Sequence, residues 1–155
     1  MPINPNTDFT AGAVLTAAQQ NRFGRGIMAF RNRTTNTAAL SADTVTIAAI
    51  SFTAVANRYY KISYYEPQAI GAGALTYCDV TIRQGTTVGG TLLTLGALSP
   101  SATVRDSALV EYVGTFTAGS VNIVASVAPN GGGTVTLTSG ATFPAFLMVE
   151  DIGPA

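Results

Sequence analysis

Tyr60-Lys61-Ile62-Ser63-Tyr64 alternates apolar and polar side chains with a period of two. Successive side chains of a strand point to opposite faces, so this stretch reads as a half-buried β-strand with Tyr60, Ile62 and Tyr64 on its inner face. The same pattern recurs in Cys78-Asp79-Val80-Thr81-Ile82-Arg83 and in Val121-Asn122-Ile123-Val124-Ala125-Ser126-Val127. Working outward from these three, strands are expected at about 27–33, 44–54, 57–66, 75–84, 91–96, 108–116, 120–128, 134–139 and 143–152, with a short one near 37–40. Their valine, isoleucine, threonine and aromatic side chains fit a pleated surface. Ala56-Asn57, Gly71-Ala72-Gly73, Gln84-Gly85, Gly89-Gly90, Ala118-Gly119 and Pro129-Asn130-Gly131-Gly132-Gly133 punctuate them with turn residues. The last is a glycine-rich hairpin loop rather than a phosphate loop, since it lacks the lysine and leads into a strand. Together these features predict an all-β chain, a jelly-roll-like antiparallel β-sandwich of about eight strands. Period and spacing leave an immunoglobulin-like sandwich open.

Two segments lack clean alternation. Ala145-Phe146-Leu147-Met148-Val149 and Leu92-Leu93 with Leu95 are apolar on both faces. Such runs read as buried central strands, with a subunit contact as the alternative.

The first 26 residues differ from the rest. Pro2, Asn4, Pro5, Asn6, Thr7 and Asp8 read as extended chain. Thr16 followed by Gln19 fits a capping box and predicts a helix of about two turns, stopped by Gly24 and Gly26. Residues 1–26 therefore form an N-terminal arm with one short helix, and residues 27–155 the sandwich domain. The N-terminus carries neither a basic region nor an apolar core of a signal peptide, so folding in a cytoplasm is expected.

Composition narrows the function. The chain has 155 residues, 47% hydrophobic and 10% charged, with eight basic and eight acidic side chains, no histidine and one cysteine. Histidine-dependent catalytic triads and histidine-ligated metals are excluded, as are an intramolecular disulfide and a cysteine-rich zinc site. No cofactor is implied. Zero formal net charge argues against a nucleic-acid partner. No apolar run reaches the roughly 20 residues of a spanning helix, so membrane insertion is not expected. Residues 34–56, 84–104 and 113–149 hold one acid, Asp43, and no base. That deficit is expected to mark faces covered by other subunits.

Among candidate sites, the pairs Glu66 with Asp79 and Asp106 with Glu111 lack the specific spacing of catalytic carboxylates. They read instead as solvated strand ends and salt bridges to Arg58, Lys61, Arg83 or Arg105. Tyr59 and Tyr65 fall on the face opposite Tyr60 and Tyr64. With Tyr77 they are candidates for glycan or subunit contact. Arg22, Arg25, Arg31 and Arg33 form the densest basic cluster, read as docking onto an acidic neighbour or as a solvated face. Cys78 alternates with Val80 and Ile82 and is expected in the core.

Three stretches carry a family resemblance. Phe9-Thr10-Ala11-Gly12-Ala13-Val14-Leu15-Thr16-Ala17-Ala18-Gln19-Gln20-Asn21 resembles an N-terminal segment of tailed-bacteriophage virion proteins: minor tail, tail-fibre, head-fibre and decoration proteins. Ser51-Phe52-Thr53-Ala54-Val55-Ala56-Asn57-Arg58-Tyr59-Tyr60-Lys61-Ile62 is similar to a hairpin common in such proteins from phages of actinobacteria. Phe146-Leu147-Met148-Val149-Glu150-Asp151-Ile152-Gly153-Pro154 is similar to their C-terminal segment. The resemblance implies a small trimeric β-sandwich of jelly-roll type on a virion, with no catalytic residues to carry over. It implies attachment through the N-terminal segment, here Phe9, Val14, Leu15, Gln19, Arg22, Phe23 and Arg25, to the major capsid protein or to tail proteins. A chain of one domain favours a capsid decoration or minor capsid role. A minor tail or fibre protein binding a host glycan is the alternative.

Overall fold

The computed structural model describes residue 14, residues 16–20 and residues 23–155. Among the described residues, nine strands follow one short helix. They are β1 (Gly26–Arg33), β2 (Thr44–Ala54), β3 (Arg58–Ala72), β4 (Tyr77–Gln84), β5 (Thr91–Leu98), β6 (Asp106–Thr115), β7 (Gly119–Asn130), β8 (Thr134–Thr138) and β9 (Ala145–Pro154). One five-stranded sheet runs β1-β9-β3-β6, with β8 also paired to β3, and a four-stranded sheet runs β2-β7-β4-β5. Every strand pairing is antiparallel. The result is a two-sheet, jelly-roll-like antiparallel sandwich, as expected.

The inner faces interlock as the alternation requires. Tyr60, Ile62 and Tyr64 of β3 and Leu147 and Val149 of β9 meet Ile47 and Phe52 of β2, Val80 and Ile82 of β4, and Ile123, Ala125 and Val127 of β7 in one core. Phe52, Tyr60 and Phe116 form an aromatic cluster with ring centroids 5.0 to 5.9 Å apart. The buried Tyr60 hydroxyl is not orphaned, because it accepts the Val55 amide at 2.8 Å. Burying this much apolar surface is the main favourable term of the fold.

Several expectations need correction. Among the described residues the helix is the single turn α1 (Ala17–Gln20), and residues 21 and 22 of the expected helix lie outside them. A helix this short has no stability of its own. The segment near 37–40 is not a strand but one bridge, Leu40 to Val135, with Thr37 donating to the Leu137 carbonyl. β1 starts at Gly26, one residue before the expected strand. β3 runs six residues past Glu66, because the register breaks between Glu66 and Ala69 and the strand passes from β6 to β8. Pro67, which has no amide to donate, sits in that break. β5 is an edge strand, not a buried central one, and exposes Leu92 and Leu95 at about half their surface (46% and 50%). The apolar run in β9 is central, lying between β1 and β3, and only Ala145, Leu147 and Val149 of it are fully buried. The hairpin at 129–133 forms as expected, with Gly131 and Gly132 at φ of +92° and +83°.

Candidate interaction face

The outer face of the five-stranded sheet is built by strand register. Asn32, Phe146, Tyr65 and Leu109 lie in one cross-strand row over β1, β9, β3 and β6. Phe30, Met148, Ser63 and Glu111 form the next row, and Ile27, Glu150, Lys61 and Val113 the third. Phe146 stacks on Phe30 at 6.1 Å and meets Tyr65 at 5.5 Å. Phe30 (53%) and Leu109 (58%), at the two ends of this apolar group, are more than half exposed. A row of large apolar side chains on the solvent side of a sheet is the unusual arrangement, because the outer face of an antiparallel sheet is ordinarily polar.

Two of the charged side chains of the face are matched to each other. The Lys61 ammonium lies 2.7 Å from Glu111, and the Ser63 hydroxyl donates to the same carboxylate at 3.0 Å. Both contacts hold the Glu111 carboxyl below the usual carboxylate range, and Glu111 in turn raises Lys61. Lys61 and Glu111 thus offset each other, and Glu150 of the third row remains as an additional acid. An apolar strip beside a matched ion pair suits protein contact.

Sites expected from the sequence are distributed as follows. Tyr65 belongs to the aromatic row. Tyr59 lies on the same outer face, across from Gly153 and Thr115, six residues along β3. At ~3.3 Å per residue that is about 20 Å away. Tyr77 starts β4 on the other sheet, opposite Asn130, so the three tyrosines do not share one patch. Val14 and Phe23 of the arm are exposed. Arg25 is 3.9 Å from Asp151. Phe9, Leu15, Arg22 and the side chain of Gln19 lie outside the described residues.

The acids are not uniformly solvated strand ends. Glu66 is fully buried, where Arg33 donates to both its oxygens at 2.8 and 2.7 Å and the Tyr64 hydroxyl donates at 3.0 Å. Thr46 of the opposite sheet bonds the Tyr64 hydroxyl at 2.8 Å, so the network bridges the two sheets. Burial pushes the Glu66 carboxyl up despite the Arg33 guanidinium, and burial and the Glu66 carboxylate push the Tyr64 phenol well up. Arg33 is thus no part of a free basic cluster. Asp151 is also buried and takes a two-pronged contact from Arg58. Asp79 sits on β4 of the other sheet and accepts from Asn130 at 3.1 Å, far in topology from Glu66. Asp106 accepts from the Ser99 and Ser107 amides at the rim of a shallow depression with Pro67, Gln68 and Arg105. No cluster of three metal-ligating side chains forms among the described residues. Cys78 faces the core, and burial pushes its thiol up to about 11.

The charge-poor stretches fall mainly on β2, β5, β7 and β8. Even outward positions of β7 such as Val124 and Ser126 are buried within the chain, where Ser126 bonds Thr81 at 2.7 Å. Phe146 of the exposed apolar group comes from the stretch 113–149, and Leu92 and Leu95 of β5 are exposed as well. Among the described residues no helix is long and apolar enough to cross a membrane.

The class these observations define is an all-β, jelly-roll-like antiparallel sandwich with one apolar outer face. The fold is similar to the solved structure of Eiger TNF from S. frugiperda, at 13% identity and a TM-score of 0.54, over 84% of this chain and 96% of that one. The CBM22-1 xylan-binding domain from Paenibacillus barcinonensis Xyn10C aligns over 86% of this chain and 99% of its own, at 10% identity and a TM-score of 0.45. No family model and no curated protein sequence matches the chain.

Proposed function

We propose that the chain is a non-enzymatic structural protein of a phage particle, a trimeric capsid decoration or minor capsid protein. The observation that carries this reading is the apolar group of Phe146, Tyr65 and Leu109 in one cross-strand row with Phe30 from the next, spread over β1, β9, β3 and β6 on the outer face of the five-stranded sheet. It supplies a surface on which copies of the chain bury apolar area together. The resemblance of the N-terminal, hairpin and C-terminal segments to virion proteins supplies the setting. In this reading residues 1–26 dock on the capsid, and subunit interfaces stabilise only the assembled shell, so they act by mass action. Obligate interfaces of this kind bury on the order of 2,000 Å² or more.

The second reading is a minor tail or fibre protein that contacts a host glycan, favoured by the half-buried Tyr65 on the open face. Its rings count against it. Phe146 is stacked on Phe30, so part of the aromatic surface is turned toward another ring rather than outward. Immunogold labelling of purified phage particles with antibody to this protein separates the readings. Label over the whole capsid supports decoration. Label confined to the tail supports the second reading, and unlabelled particles contradict both.

A further inference from the structure

Arg58 opens β3 and Asp151 lies near the end of β9, the two interior strands of the five-stranded sheet. Their side chains meet in a two-pronged pair, 2.5 Å from Nε and 2.7 Å from Nη2, and both are buried. Asp151 also accepts the Gly153 amide at 3.0 Å. The pair reaches beyond its own strands, because Arg58 Nη2 donates to the Phe23 carbonyl at 2.5 Å. The following residue, Gly24, lies so close to β9 that a Cβ there would sit 2.8 Å from the Asp151 carbonyl oxygen. Gly24 has no left-handed φ, so space rather than backbone conformation excludes a side chain.

The chain enters the sandwich through β1, which is an edge strand paired only with β9. A pull on the preceding segment would peel an edge strand one hydrogen bond at a time. The geometry points to the Arg58–Asp151 pair as the seat of the N-terminal segment, fastening its root at Phe23 and Gly24 directly to the interior strands β3 and β9. The buried charge pair gains a purpose that packing alone does not give it, since ion pairs of this kind add little net stability over apolar residues. The inference deepens the attachment reading of residues 1–26 by giving that arm a fixed root. It is tested without any particle, so the two fail separately.

Limited trypsin digestion of the native full chain reads the seat. The Arg25–Gly26 bond lies beside it, and cleavage after Arg83, in the interior strand β4, reports global opening. Gly24→Val should speed cleavage at Arg25 about tenfold or more, the loss of a charge-assisted hydrogen bond, and leave Arg83 unchanged. Phe23→Ala keeps the carbonyl and should cleave as the parent does. Arg58→Lys should follow Gly24→Val. If that variant also opens at Arg83, Gly24→Val alone decides. Equal cleavage at Arg25 in Gly24→Val and parent, or a rise at Arg25 matched by Arg83, overturns the proposal.

Discussion

Arg33 of β1 donates to both carboxylate oxygens of Glu66 of β3 from one nitrogen, Nη2, at 2.8 and 2.7 Å, although β9 lies between their strands in the sheet. The contact is possible because both sit at one end of the sandwich, where β3 leaves β6 and the sheet is irregular. Glu66 then hands the network to Tyr64 and, across the interior, to Thr46. Arg33 Nη1 is spent on the Thr35 and Leu137 carbonyls at 2.7 and 3.3 Å, and the contact from Nη2 is a charge-assisted one, stronger than a neutral hydrogen bond.

Removing one partner of this pair should hurt more than removing both. Arg33→Met leaves a buried carboxylate unpaired and should cost about 3–5 kcal/mol. Arg33→Met with Glu66→Gln should recover part of that loss. Urea unfolding of the two variants and the parent measures both differences.

The same carboxyl gives stability a pH slope. Burial raises Glu66 in the folded state above its unfolded value of ~4.3. A raised folded value means the folded chain binds the proton more tightly. The contribution of this group is therefore complete below the unfolded value and is lost as pH rises through the folded one. The parent should lose stability relative to Glu66→Gln on going from about pH 4 toward neutrality. A parallel pair of urea midpoint profiles would show that Arg33 offsets burial completely.

Cys78 should be inert to thiol reagents in the native protein. Its thiol is fully buried and pushed up to about 11, so little thiolate exists at neutral pH and none is accessible. Labelling with a chromogenic disulfide at neutral pH should proceed at the rate of unfolding and become fast in denaturant. Rapid native labelling would contradict the burial.

Much of the fold was legible from period two alone. The strands around Tyr60–Tyr64, Cys78–Arg83 and Val121–Val127 fall where alternation put them. The same period carried a signal that composition-based reading passed over. Arg58, Tyr60, Ile62, Tyr64 and Glu66 are alternate residues of one strand, as are Ala145, Leu147, Val149 and Asp151. Following the inward set to its ends places Arg58, Glu66 and Asp151 in the interior, rather than at solvated strand ends. Their partners were not legible, because Arg33 and Arg58 reach them from strands 33 and 93 residues away in sequence. The edge position of β5 was hidden for a different reason. Apolar residues on both faces mark a strand that two surfaces touch, and Leu92 and Leu95 show that solvent can be one of them.

The apolar outer face gives the most direct test of assembly. Phe30 and Leu109 are more than half exposed and lie at opposite edges of the face, so Phe30→Lys with Leu109→Lys should leave the fold intact. Multi-angle light scattering of the parent and this double variant, at the same micromolar concentration, reads the outcome. A trimer for the parent and a folded monomer for the variant are expected. A parent that runs as a stable monomer, or a variant that keeps the parent's oligomeric mass, would contradict the assignment of this face to assembly.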